Sequence, residues 1–297
     1  MVKLKVNYLN TANFGGKGKL KKVIKNGLKQ LIKLSVALLG KTSIGRYLYG
    51  EVVNNAMGRT HTVAHHGVNL LFSVPNGMNE YRFDTFSTKE PNTLVWIEGM
   101  SKGSVVWDIG ANVGLYACYA AKLRGCRVFA FEPSVFNLEL LARNIFLNGL
   151  TDLVTIVPLP LTEALAVSKM NMTTTEWGGA LSTFDKSYGH DGKPLCKTFE
   201  FSTVGLSMTE AVELLGIPRP NHIKLDVDGL EHLILKGGTD VLLHVESVLI
   251  EINGDFQEQA AGSKRYLSAA GLQLTEMCRD RATELTSLES NNQIWQR

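Results

Sequence analysis

The sequence predicts an α/β protein: a doubly wound, mostly parallel seven-stranded sheet with an antiparallel last strand, preceded by an N-terminal cap of helix and strand. Three observations predict it. Beyond residue 100, short apolar runs alternate with helical patterns, which is the mark of parallel βαβ units. The last two apolar runs have only a polar loop between them, so they pair antiparallel. The composition, with 44% hydrophobic and 20% charged among 297 residues, is that of an ordinary globular chain. It excludes a disordered chain, and no apolar run approaches the roughly 20 residues that span a bilayer.

The elements follow in order. From residue 19 to 39, Leu20, Val23, Ile24, Leu28, Leu31, Ile32 and Leu38 recur at helical spacing with lysines between them. Residues 61–65 and 68–74 alternate as two short strands around His66-Gly67, and Pro91 opens a short helix that includes Leu94–Ile97. Residues 1–100 form the cap, and 101–297 the sheet domain. Residues 104–108 are the first buried strand, 110–114 a tight turn and 115–123 a helix. Residues 127–131 are the second strand. Ser134 caps a helix that ends at Asn148-Gly149. Residues 153–157 are the third strand, and 158–204 read as an irregular insert rich in Thr, Gly and Ser. A helix over 209–215 stops at Gly216. Residues 222–227 are the fourth strand, 230–235 a helix, 245–252 the fifth strand and 257–270 a helix. Runs at 272–277 and 293–295 complete the sheet.

Charge is unevenly spread. Residues 1–41 hold ten of the chain's 31 basic residues and none of its 28 acidic ones, so the remainder is net acidic. A basic head suits an anionic partner, and the acidic body gives no reason to expect nucleic acid. The amphipathic helix suits packing of its apolar face on the body with its lysines solvated. Peripheral contact with an anionic membrane is the second reading. Cys118, Cys126, Cys196 and Cys278 form no C-x-x-C pair and read as small buried apolar residues. With no apolar export signal after Met1, the expected compartment is the reducing cytoplasm, with the inner face of a membrane as the peripheral option.

The first strand runs into Asp108-Ile109-Gly110-Ala111-Asn112-Val113-Gly114. Ligands of open α/β sheets bind at the carboxyl ends of the strands, where strand order reverses. Gly110 permits the turn and a close approach of ligand to backbone; Gly114 lets the next helix pack on the strand. A dinucleotide fingerprint has a middle glycine to admit a pyrophosphate, and Asn112 stands in that place. Asp108 would repel a phosphate but receive an ammonium group. S-adenosylmethionine carries an ammonium and no phosphate. Glu132-Pro133, at the end of the second strand, places a carboxylate where it accepts hydrogen bonds from two ribose hydroxyls.

These segments, with Phe131-Glu-Pro-Ser134 and Leu147-Asn-Gly149, resemble the FkbM family of S-adenosylmethionine-dependent methyltransferases. A second block supports the resemblance. His222-Ile-Lys-Leu-Asp-Val-Asp-Gly-Leu-Glu231, with Leu235-Lys-Gly237, is similar to that family's I-K-x-D-V-E-G-x-E…L-x-G signature, and Glu251-Ile-Asn253 to its fifth-strand end. The resemblance covers about residues 104–255. It implies a class I methyltransferase (Rossmann-like) fold and O-methylation of a sugar in a polysaccharide, glycolipid or related metabolite. Asp228 and Leu230 depart from the usual Glu and small residue. Val204-Gly205-Leu206 stands where many members have a Leu-Asp pair.

Methyl transfer needs a positioned oxygen nucleophile and help with its proton. Asp226, Asp228 and Glu231 follow the fourth strand and are the catalytic candidates, with Asp226 first as base or acceptor anchor. Trp177, Thr175 and His190 in the insert, and Asn253 after the fifth strand, are candidates for the acceptor wall. Asp226, Asp228 and Glu251 or Asn253 also offer oxygen atoms to Mg²⁺ or Ca²⁺. No dedicated ligand motif accompanies them, so direct binding of hydroxyls is the favoured reading and no metal ligand is assigned. Two other functions compete: a nicotinamide-dependent oxidoreductase, which Asn112 and the terminal strand pair oppose, and a non-catalytic methyltransferase-like binding module.

Overall fold

The computed structural model describes residues 17–279 and 290–297, with side chains for 23–277 and 291–297. The chain divides into two units, Met1–Arg59 with Val74–Gly77, and Thr60–Ser73 with Met78–Arg297. The first holds α1 (Lys17–Leu39) and α2 (Ser43–Met57). Thr42 starts α2 by accepting the Gly45 amide at 3.0 Å, the usual N-cap bond. Tyr49 reaches back to the Ser35 carbonyl at 2.8 Å. Val23, Ile24, Leu28, Leu31, Ile32 and Leu38 of α1 are all exposed. No described helix is long and apolar enough to cross a membrane.

The second unit opens with a hairpin of β1 (Thr60–His65) and β2 (Val68–Ser73), then α3 (Gly77–Asp84), α4 (Phe86–Lys89) and α5 (Pro91–Glu98). The main sheet begins with β3 (Val105–Ile109), followed by α6 (Leu115–Arg124), β4 (Arg127–Phe131), α7 (Val135–Leu147) and β5 (Val154–Val157). After the insert come β6 (Ala166–Met172), β7 (Thr183–Phe184), β8 (Phe199–Gly205), α8 (Met208–Leu215) and β9 (His222–Leu225). Then follow α9 (Glu231–Lys236), α10 (Thr239–Leu242), β10 (Ser247–Asn253), α11 (Gln257–Ala269), β11 (Gln273–Arg279) and β12 (Ser290–Gln296).

The seven-stranded sheet has the order β11-β12-β10-β9-β3-β4-β5. All central pairs are parallel, and β12 runs antiparallel to both neighbours. Strand order reverses at β3, between β9 and β4, as a doubly wound sheet requires. The strands read as apolar runs because both faces are covered. Trp107, Phe131, Ile223, Leu225, Val248 and Ile250 are all at most 1% exposed and share one core.

The insert is not irregular. Its strands β6, β7 and β8 form an antiparallel sheet of their own. One face of that sheet is wet, so Ser, Thr, Lys and Glu alternate with the apolar residues and dilute the strand signal. The hairpin β1–β2 is fastened to α7 by two buried amides. Asn144 accepts the Ser73 amide at 2.8 Å, and Asn148 bonds both the amide and the carbonyl of Leu71. The Leu-Asn-Gly run that ends α7 therefore acts as a surrogate strand edge. Cys118 and Cys126 are buried as expected, but Cys196 is exposed, because it lies in the open stretch before β8; the Cys278 side chain lies outside the described residues.

Candidate active site

The carboxyl ends of β4, β3 and β9 open onto a cavity of about 350 Å³, at the small end of ligand-pocket sizes. Its floor is the β3–α6 turn. Gly110 has φ +86°, and a Cβ there would stand 1.9 Å from the Asp226 carbonyl. Gly114 has φ +82°, and a Cβ would meet Leu141 of α7 at 2.5 Å. Gly110 is thus required by the neighbouring β9 end as much as by any ligand. Ala111 and Pro133 also line the cavity, and the amides of Gly110 and Ala111 both bond the Phe131 carbonyl at 3.0 Å.

Glu132 is 5% exposed. Each of its oxygens accepts one backbone amide, Asn112 at 2.7 Å and Ser134 at 2.7 Å. The Asn137 side chain also bonds this carboxyl, and a carboxylate has about four acceptor positions, so capacity remains for a ribose hydroxyl. Burial pushes the Glu132 carboxyl up to about 7, against the pull of those amides. By itself it binds its proton more tightly folded than unfolded, so its contribution lowers stability as pH rises from about 4.5 towards 7. Asp108 is 3% exposed, no side chain donates to either of its oxygens, and its one backbone donor, Ala117, is poorly aligned. Burial raises it to about 6, although Lys224 pulls it down. A buried carboxylate so poorly supplied with donors is costly, and a ligand ammonium would supply them.

Asp226 lies across β3 from Glu132, at the end of β9. Its Oδ2 accepts Lys224 Nζ at 2.8 Å, and Glu251 at the end of β10 shares a hydrogen bond with it. Burial would raise its pKa, but the buried Lys224 ammonium overrides that and holds it at about 2. The stability this pair contributes is present above about 3.8 and lost as pH falls towards 2. Lys224 also lies over the Tyr116 ring, 5.2 Å from its centre. Six carboxylates and three Lys or Arg side chains line the cavity. Such a surplus of acid favours a cationic ligand.

Asp228 has φ +62° and lines the cavity, but its Oδ2 is engaged by the Leu181 and Ser182 amides at 2.7 and 3.2 Å. Burial, with Asp226 and Glu231 nearby, raises its pKa to about 7. It anchors a strap of the insert, residues 177–182, over the cavity. Four other side chains hold the same strap. Asn79 donates to the Trp177 carbonyl at 2.9 Å and Arg82 to that of Gly178 at 2.6 Å. Asn137 accepts the Gly178 amide, and Asn137 and Asn112 both donate to the Gly179 carbonyl.

Several sequence candidates lie apart from the cavity. Glu231 is fully buried and accepts the amides of Val227 and Gly229 and the side chain of Gln259, tying the β9–α9 turn to α11. Asn253 is buried, its amide held by Gln259 and its side chain by the Asp255 amide. Thr175 is exposed, and Trp177 serves the strap through its carbonyl. His190 does line the cavity. Asn79, Arg82, Asn137 and Lys224 were not anticipated. Only Lys224 carried a signal, as a charge flanked by Ile223 and Leu225 within the fourth strand. Replacing Glu231 by alanine is expected to cost about 3 kcal/mol, since three buried donors lose their acceptor; urea unfolding measures it.

A strand order reversing at a glycine turn, an acid at the end of the second strand and an antiparallel last strand define a class I, nucleoside-binding methyltransferase fold. The family model described as the methyltransferase FkbM domain matches residues 108–280. The hexuronic acid methyltransferase AglP of Haloferax volcanii is 30% identical over 224 residues, covering 72% of this chain and 83% of that protein. The chain belongs to the FkbM methyltransferase family. Among solved structures, M. jannaschii TYW2 in complex with AdoMet has a TM-score of 0.41 at 14% identity, covering 80% of this chain and 86% of that one. The precorrin-6y C5,15-methyltransferase from Geobacter metallireducens has a TM-score of 0.40 at 14% identity, covering 70% and 86%.

The methyl donor of such an enzyme is S-adenosylmethionine, and the residues present fit it. Glu132 keeps acceptor capacity for a ribose hydroxyl, Asp108 has no side-chain donor, and the cavity is acidic. Affinity for S-adenosylhomocysteine is expected to rise from pH 6 to 8 as Glu132 ionises through its pKa of about 7. Calorimetric titration checks this, and Glu132→Gln should flatten the rise.

Proposed function

We propose that this enzyme transfers a methyl group to a hydroxyl oxygen of a sugar, with an acidic sugar such as a hexuronate as the first acceptor to test. The observation that carries the proposal is the Lys224–Asp226 pair on the cavity wall across β3 from Glu132. When bound, S-adenosylmethionine supplies an electrophilic methyl on a sulfonium. Asp226 accepts the hydrogen bond of the acceptor hydroxyl and orients its oxygen. With a pKa of about 2 it is too weak a base to remove that proton in advance. It takes the proton as the oxygen becomes acidic during transfer, so orientation is its larger contribution. Lys224 keeps Asp226 ionised and fixes its rotamer. Asp228 positions the strap rather than the acceptor, and Glu231 positions the turn that carries Asp226.

Two observations support an acidic sugar. Arg82 and Lys89 line the cavity, and the Arg82 Nε is buried without a partner. A hexuronic acid methyltransferase is also a relative. Hydroxyl and carboxylate groups of such an acceptor are matched by Asp226 and Arg82. The test is turnover with hexuronate and neutral hexose glycosides: a preference for the hexuronate that Arg82→Gln abolishes supports the reading, and equal turnover of both opposes it.

The basic helix α1 is proposed to contact anionic surfaces peripherally, supported by its seven lysines, its lack of acidic residues and its exposed apolar side chains. Sedimentation with anionic but not neutral vesicles tests it.

A further inference from the structure

We propose that His65, His66 and Glu98 form a binding site for a divalent transition ion of the Zn²⁺ type, separate from the cavity. Among the described residues these three make the only group of His, Cys, Asp or Glu whose ligand atoms all lie within 4.8 Å of one another. The turn builds the site. β1 and β2 pair as far as His65 and Val68, leaving His66-Gly67 as a two-residue connection with φ +47° and +79°. Positive φ at both positions is the type I′ hairpin turn, where Asn, Asp or Gly is usual at the first position. Successive strand residues point to opposite faces. The left-handed turn swings His66 round so that both rings reach the same carboxylate.

An ion about 2.0–2.2 Å from imidazole nitrogen and carboxylate oxygen needs its ligand atoms roughly 3–3.6 Å apart. His65 Nε2 is 3.3 Å from Glu98 Oε1, within that range. His66 Nδ1 is 2.8 Å from Glu98 Oε2, a direct hydrogen bond that an ion would replace by a small opening of the pair. Two histidines and one carboxylate leave a fourth position for water. Outer partners are in place as well. His65 Nδ1 bonds the Ser87 hydroxyl at 2.8 Å, which leaves Nε2 for the ion. The Tyr119 hydroxyl donates to Glu98 Oε1 at 2.8 Å. Bonds of this kind orient metal ligands. The side chain of His66 is 68% exposed, which gives an ion a way in.

The competing account is a pair of solvent-screened His–carboxylate contacts, each worth about 0–1 kcal/mol. That account gives no reason for two rings converging on one carboxylate. The ion would act structurally. Phe86 packs edge-on against both His65 and Tyr119, with centroids 5.7 and 5.4 Å apart, and also lines the cavity. Joining the hairpin to α5 would brace that wall from behind.

The test is titration of the chelator-treated full chain with ZnCl₂, and with CoCl₂ as a spectroscopic probe. One equivalent is expected to bind, with visible Co²⁺ bands of low coordination number. His66→Asn keeps a residue suited to the left-handed turn, and Glu98→Gln keeps the Tyr119 contact. Each is expected to weaken binding by on the order of 100-fold and to abolish the Co²⁺ bands. Absence of binding by the wild type, or binding by both variants as tight as wild type, overturns the proposal. S-adenosylhomocysteine binding by the ion-free chain is measured alongside, so this outcome is read apart from that of the methyltransferase site.

Discussion

Glu132→Ala is expected to weaken S-adenosylhomocysteine binding about 100-fold or more. The side chain offers charge-assisted hydrogen bonding to a ligand hydroxyl, worth about 1.5–3 kcal/mol per bond. It also accepts the Asn112 and Ser134 amides, which shape the two turns beside the cavity. The substitution therefore removes ligand contacts and frees both turns. Glu132→Gln keeps one acceptor and is expected to fall between wild type and alanine. Calorimetric titration at pH 8, where the wild-type carboxyl is ionised, gives the cleanest comparison. Unchanged affinity in the alanine variant would remove Glu132 from the site.

Asp226→Asn is expected to lower kcat by 10²–10⁴ while S-adenosylhomocysteine still binds. The size is that of a positioned group handling a proton in the transition state. The amide keeps the shape of Asp226 but cannot take the hydroxyl proton. Single-turnover kinetics with saturating donor separates this chemical defect from loss of binding. Lys224→Met adds a second readout. Without the ammonium, Asp226 titrates well above its pKa of about 2, so the acid limb of the kcat profile moves to higher pH. A purely structural Lys224 would lower kcat at every pH without moving that limb.

The sheet and the β3–α6 turn were legible because their information is local. Buried parallel strands are apolar runs such as residues 128–131, and Gly110 and Gly114 stand where only glycine fits. Glu132 could be placed because it directly follows a strand. The strap could not. Asn79, Arg82 and Asn137 meet residues 177–179 across separations of 41 to 98 residues, and nothing local marks them. Asp228 and Glu231 share the Asp226 motif, yet one turns to the insert and the other to α11. A short acidic motif in a turn names the site but does not divide its labour. The insert strands were hidden by their wet face, and the His65-His66 pair by a contact with Glu98, 33 and 32 residues further on.

The most direct test of the methyltransferase account uses S-adenosylmethionine bearing a deuterated methyl group. Wild type and Asp226→Asn are each incubated with hexuronate and hexose glycosides, and the label is located by tandem mass spectrometry. The account predicts a labelled methyl on a sugar hydroxyl oxygen from the wild type and at least a hundredfold less from the variant. Label on the carboxyl as an ester, label on no sugar at all, or equal product from Asp226→Asn would contradict it.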